Sequence, residues 1–283
     1  MININKLNFK YDKNLLFNDL NLSIDNGSIC GVLGKNGAGK STLLYLIAGL
    51  LSPDKKNIKV NSLYPADRKT DFLKECFILP EKLSVPSLTG QQYVKLYSPF
   101  YPSFSNDQFK ILLNEFELDI NKNLTKMSFG QKKKFLIAFA FSTNCSLLLL
   151  DEPTNGLDIP SKKQFRKSMI NSFNEEQLIL ISTHQVRDLE NLIDPIIILD
   201  EGKIIFNHSM EEVEDKLIQV TTNEQPSESS NIYSEKSFAG YTYLTDNKEL
   251  AENARPIDIE LLFNSVVDKN SNIEKILSDS EVI

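Results

Sequence analysis

One nonapeptide, Gly34-Lys35-Asn36-Gly37-Ala38-Gly39-Lys40-Ser41-Thr42, restricts this fold more than any other stretch. The apolar run before it, Ile29-Cys30-Gly31-Val32-Leu33, reads as a buried strand. The run after it, Leu43 to Ala48, reads as the start of a helix, spanning residues 43–51 and ending near Ser52-Pro53. A strand that feeds a G-x-x-x-x-G-K-[ST] turn into a helix belongs to an α/β fold. The glycines let main-chain amides turn inward without side-chain clashes. At a helix N-terminus those amides and the dipole favour an anion. There Lys40 reaches the terminal phosphates of a nucleotide, and the Ser41 hydroxyl can hold magnesium. An ordinary glycine-rich turn is the plain alternative, and the strand and helix on the correct sides weigh against it.

Two further apolar runs end in polar groups. Ser146 to Leu150 is followed by Asp151-Glu152, and Leu178 to Ile181 by Ser182-Thr183-His184. Strands that are apolar at every position suit a parallel sheet buried on both faces, and ligands bind at the carboxyl ends of such strands. Asp151 is therefore placed to organise magnesium, and Glu152 to orient or deprotonate a water. A lone strand-end histidine is usually structural; His184 gains interest from the neighbouring strand ends.

The rest of the chain supplies the frame. Residues 2–9 and Leu20–Ile24 alternate as strands, with Asn26-Gly27 as a hairpin signal. Tyr11 falls in a polar turn, as a packing residue or as an aromatic for stacking on a nucleobase. Strands are expected at residues 58–60 and 77–79. From Ser87 to Thr125 the pattern is helical, with Thr89 and Ser105 as N-caps and Phe109, Leu112, Leu113 and Phe116 on one face. Met127-Ser128-Phe129-Gly130-Gln131 then opens a helix, a second anion-binding arrangement. Lys132, Lys133 and Lys134 oppose the dipole there and read as a solvated basic face. A short helix is expected over residues 185–193 and a hairpin over residues 196–206. Residues 223–230 have a linker composition, residues 241–245 read as a strand, and residues 257–267 form an amphipathic helix on Ile259, Leu262, Phe263 and Val266.

Charge divides the chain. Residues 1–214 hold 25 acidic and 25 basic side chains, whereas residues 215–283 hold 13 and 6. A balanced core with an acidic tail argues against a nucleic-acid-binding face. No apolar run approaches the roughly 18–20 residues needed to cross a bilayer, and the N-terminus has no signal-peptide core, so a cytoplasmic location is expected. Cys30, Cys76 and Cys145 have no metal-ligand spacing and suit buried positions in a reducing compartment.

Over about residues 2–214 these motifs together resemble the nucleotide-binding subunit of an ABC transporter. Gly34–Ser41 is similar to its Walker A loop, Met127–Gln131 to its signature motif and Leu147–Glu152 to its Walker B strand. Asn155–Asp158 resembles the D-loop, His184 the switch histidine, and Tyr11 the adenine-stacking aromatic. The resemblance implies a P-loop NTPase of ABC type: a mixed-sheet core with an antiparallel β subdomain, a helical subdomain at about residues 82–126, and a small C-terminal α+β extension over residues 215–283. It implies ATP and Mg2+ as cofactors. Nucleotide contacts would come from Tyr11, Gly34 to Thr42, Ser128, Gly130 and Gln131. Ser41, Glu81 and Asp151 would serve the metal, and Lys40, Glu152 and His184 the chemistry.

Two departures stand out: Phe129 replaces the first glycine of the signature, and Glu81 stands where the family's Q-loop carries glutamine. The resemblance also implies a second ATPase subunit and a separately encoded membrane permease, no nucleic acid, and a place on the cytoplasmic face of the inner membrane. The C-terminal part resembles extensions of bacterial exporter-type ATPases. Two rival functions stay open: a non-transport ABC switch acting on DNA or ribosomes, and a small-molecule kinase or GTPase. Glu81 and Phe129 leave a third reading, a weakly hydrolysing partner in a heterodimeric transporter.

Overall fold

A computed structural model describes residues 1–189, 192–227, 231–238, 240–246, 250, 254–268 and 272–278. The first layer grows from alternation. β1 (Ile2–Tyr11) and β2 (Asn14–Ile24) pair antiparallel and bury Ile2, Ile4, Leu7, Leu20, Leu22 and Ile24 on one face. The register slips between Ile4 and Leu7, where Lys6 has φ of 48°. That bulge keeps the lysine outside and returns Leu7 to the core.

The hairpin turn is at Asp12-Lys13, and Asn26-Gly27 makes none: β3 (Ser28–Leu33) lies in a different sheet from β2. The physical reason is burial. Cys30 to Leu33 are buried at every position, which fits a strand covered on both faces and not a half-exposed hairpin partner.

α1 runs Lys40–Ile47, earlier at both ends than residues 43–51, because Gly39 (φ 110°) releases the chain into the helix and Gly49 (φ 67°) ends it. Next come β4 (Ile58–Val60), which pairs with β1, α2 (Thr70–Leu73) and β5 (Cys76–Leu79). α3 (Gly90–Tyr97) and α4 (Asn106–Glu115) start at Thr89 and Ser105, whose hydroxyls accept from the N3 amides as expected. Phe109, Leu112, Leu113 and Phe116 are buried, and the Phe109 ring meets Phe135 and Phe139 of α5 (Phe129–Ser142) edge-on.

The central sheet is completed by β6 (Leu147–Asp151), then, after α6 (Ile159–Ser172), by β7 (Leu178–Thr183), β8 (Ile196–Asp200) and β9 (Lys203–His208). Its order is β5-β6-β7-β3-β8-β9, parallel except for β9, which closes the edge as the expected hairpin. The chain passes over β3 between β7 and β8, so the phosphate-loop strand and both polar-ended strands finish at one end of the sheet. After His184 there is a 3-10 turn at Val186–Leu189 in place of the expected helix; residues 190 and 191 lie outside the described residues.

α7 (Met210–Lys216) leads to a four-stranded antiparallel sheet of order β11-β12-β10-β13, built from β10 (Ile218–Thr222), β11 (Tyr233–Ser237), β12 (Gly240–Thr245) and β13 (Ala254–Arg255). β12 matches the strand expected at residues 241–245. α8 (Ile259–Val267), capped by Asp258, and α9 (Ile273–Ser278) follow. Leu244, Ile257, Leu261 and Leu262 join the apolar cluster that holds Leu189, Phe206 and Val213. Among the described residues no helix is long and apolar enough to cross a membrane.

Candidate active site

The turn from β3 into α1 explains its own composition. Gly39 sits at φ 110°, and a Cβ there would meet the Phe17 ring at 2.9 Å. No side chain caps α1, so its first amides face open space where an anion fits. Lys40 folds back over the loop: Nζ donates to the carbonyls of Gly34 (2.7 Å) and Lys35 (3.2 Å) and lies 3.9 Å from Glu152 Oε1. Burial lowers its pKa, against the pull of Glu152, Asp151 and Glu81.

Asp151 ends β6 almost wholly buried. Its Oδ1 accepts from the hydroxyls of Ser41 (2.9 Å) and Ser182 (2.5 Å), while Oδ2 is buried without a hydrogen-bond partner. A carboxylate oxygen left unpaired in the interior is a place for a cation or an ordered water. Ser41 and Asp151 thus fit a magnesium ion, which takes much of its shell from phosphate oxygens and water. Among the described residues no group of three or more His, Cys, Asp or Glu converges on a metal site.

Glu152 stands at φ 47°, a left-handed conformation uncommon outside glycine. The strain is held from several sides: its N–H donates to Ser182 O (3.0 Å), Oε1 lies 2.7 Å from His184 Nδ1, and Oε2 accepts from Thr183 Oγ1 (3.3 Å). Glu81 Oε1 accepts from Asn155 Nδ2 at 3.1 Å.

A cavity of about 680 Å³ collects most of these groups, including Tyr11, Asn36, Lys40, Ser41, Glu81, Glu152 and His184. Gly37, Gly39 and Thr42 also line it. Tyr11 is half-exposed at its rim, braced edge-on by Phe9, with its hydroxyl 3.3 Å from Thr42 Oγ1. Gly34 and Ala38 are buried beneath the loop, and Lys35 points outward.

Ser128, Gly130 and Gln131 do not line this cavity. They cap α5 instead: Ser128 Oγ accepts from Gln131 N–H (3.2 Å), and Gln131 Oε1 accepts from Ser128 N–H (3.2 Å). The lysine run is corrected at one position. Lys133 is wholly buried, not solvated, and its Nζ donates to the carbonyls of Glu152 (2.5 Å) and Asn155 (2.9 Å). Composition hid this because its neighbours Lys132 and Lys134 are indistinguishable from it in sequence. Ser182 and Thr183 were also missed as partners of the two carboxylates; two hydroxyls closing an apolar strand were the available signal.

Comparison with known proteins agrees with this geometry. Residues 17–155 match the family model described as ABC transporter. The lantibiotic transport ATP-binding protein SrtF of Streptococcus pyogenes is 34% identical over 208 residues, covering 72% of this chain and 89% of that protein. The ABC transporter ATP-binding protein YtrB of Bacillus subtilis is 28% identical over 223 residues, 78% of this chain and 76% of the relative. Among solved structures, an ATP-binding subunit of an ABC transporter superposes with a TM-score of 0.68 at 26% identity, covering 76% of this chain and 92% of that one.

Proposed function

This chain belongs to the ATP-binding subunits of ABC transporters, an ATPase family, and from that premise we propose how its residues run the cycle. ATP lies along the Gly34–Thr42 loop with its base against Tyr11 and its terminal phosphates at Lys40 and the α1 amides. Ser41 and Asp151, with Glu81 facing the same cavity, would hold Mg2+, which would supply charge neutralisation for the phosphates. Glu152 holds the attacking water, and His184 holds Glu152. The cradle is one-sided: Ser128, Gly130 and Gln131 are turned elsewhere. A second subunit therefore closes over the nucleotide with its own Ser128–Gln131 turn, as a homodimer or a heterodimer.

The observation that carries this reading is the convergence of Lys40, Ser41, Glu152 and His184, from three adjacent strand ends, on one cavity, with Asp151 hydrogen-bonded to Ser41 behind it. The work is delivered to membrane subunits on separate chains, with this protein on the cytoplasmic face of the membrane. The lantibiotic transport name of the Streptococcus pyogenes relative favours export. We assign residues 1–214 to the ATPase domain and residues 215–283 to an accessory unit. Glu152→Gln tests the assignment. It should keep ATP binding, accumulate an ATP-bound dimer by size exclusion, and lose turnover by about 100-fold or more. Turnover near wild type would refute the role given to Glu152.

A further inference from the structure

Among the described residues, the cycle above leaves one buried charge without a task. Lys133 is inaccessible to solvent, lies in the second turn of α5, and spends its ammonium on two main-chain carbonyls outside its own helix. Taking a charged group out of water is costly unless it is well bonded, and a neutral side chain of the same volume would pack there without that cost. The carbonyls it holds are those of Glu152 and Asn155. These are the residue whose carboxylate faces the nucleotide cavity and the residue whose amide holds Glu81. Glu152 is also the member of that turn at φ 47°, a conformation that persists only where its surroundings fix it.

A second contact ties the same ammonium to the exposed end of the helix. The Phe129 ring centroid lies 5.6 Å from Lys133 Nζ, a cation–π distance. The ring also lies on Gly156, where a Cβ would meet it at 2.6 Å. Phe129 is 49% exposed, one residue from the Ser128 hydroxyl. The aromatic that replaces a signature glycine therefore touches the ammonium and the turn after Glu152 at once.

We propose that Lys133 is a positioning residue: it links the Ser128–Gln131 turn, through Phe129 and its own ammonium, to the main chain that aims the Glu152 carboxylate. The idea deepens the two-copy reading and rests on it. A nucleotide gripped by the Ser128–Gln131 turn belongs to the opposing subunit, whereas Glu152 acts on the nucleotide of its own subunit. Lys133 thereby connects the two ATP sites of the dimer within one polypeptide.

The test compares Lys133→Met, Lys133→Arg and Phe129→Ala in the full chain, following ATP turnover, its Hill coefficient and thermal stability. Lys133→Met should lower kcat about 10- to 100-fold, the size of effect expected from a slightly misplaced group, with KM for ATP within about 3-fold. Lys133→Arg should recover part of that kcat, and Phe129→Ala should lower the Hill coefficient toward 1. Lys133→Met turnover within about 2-fold of wild type would overturn the proposal. So would an arginine variant no faster than the methionine one while melting at the wild-type temperature. If Lys133→Met does not fold, Lys133→Arg and Phe129→Ala decide: wild-type kcat and Hill coefficient in both overturn it. The two-copy reading fails separately, if Glu152→Gln stays monomeric in ATP.

Discussion

Two helices of this protein begin at sites suited to an anion, and they prepare those ends in opposite ways. α1 starts from Gly39 with no side-chain cap, and its first amides are open to the cavity. α5 starts from a complete capping box, Ser128 and Gln131 satisfying each other, with Lys122 Nζ 3.1 Å from the same Gln131 oxygen. Each helix also buries a lysine. Lys40 bonds carbonyls of its own loop, whereas Lys133 bonds carbonyls of the turn beyond β6. The difference separates an end left open from one that is complete alone. An uncapped N-terminus leaves orphan N–H groups that a phosphate can satisfy. A capped one already has its bonds, so in the proposed two-copy cycle a nucleotide there would meet Ser128 and Gln131 as preformed contacts with little rearrangement.

The contrast can be broken most forcefully at Lys40. Lys40→Met should reduce ATP turnover by about 100-fold or more, since a positioned charge facing the phosphates is lost; a steady-state assay reads it. The effect of Ser128→Ala is smaller and of another kind. The α5 cap is lost at a cost of about 1 kcal/mol in denaturant unfolding, and the ATP-bound dimer seen with Glu152→Gln should weaken while nucleotide binding to the monomer stays near wild type. An equal loss of monomer binding would place Ser128 in its own site and remove the distinction between the helices.

The smallest effect lies in pH. Burial lowers the Lys133 pKa from 10.5 to about 8, against the pull of Glu81, Glu152 and Asp151. Below pH 8 the amine is charged in folded and unfolded chains alike, so the desolvation cost is fully present. Between about 8 and 10.5 the unfolded chain keeps the proton that the folded chain has released, and this group's contribution to stability rises with pH. Subtracting the denaturation profile of Lys133→Gln from that of wild type should give a positive slope across that window. A flat difference would mean that the ammonium is better solvated than its burial implies.

Much of this arrangement was legible in the residues. The loop from Gly34 to Thr42, the carboxylates after Leu150 and His184 after Thr183 all follow runs that are apolar at every position, a pattern for strands covered on both faces. Helix caps at Thr89 and Ser105 were readable for a local reason: the bond spans three residues. Errors arose where the partner was distant. Asn26-Gly27 has hairpin chemistry, yet its Gly27 N–H bonds Gln177 and its strands part into separate sheets. The 3-10 turn at Val186–Leu189 packs beside α8, more than seventy residues away in the chain, and Arg187 pairs there with Glu260.

By itself, then, the sequence determined the chemistry present and the strand ends that bear it, because spacing, caps and apolar runs act over a few residues. The fold alone decided which of three consecutive lysines is buried. It also left Asp151 Oδ2 without a hydrogen-bond partner, and it set Ser182 and Thr183 against the two carboxylates. Those outcomes depend on strand order and helix packing, which bring together groups some twenty to more than a hundred residues apart, and no local pattern encodes such separations.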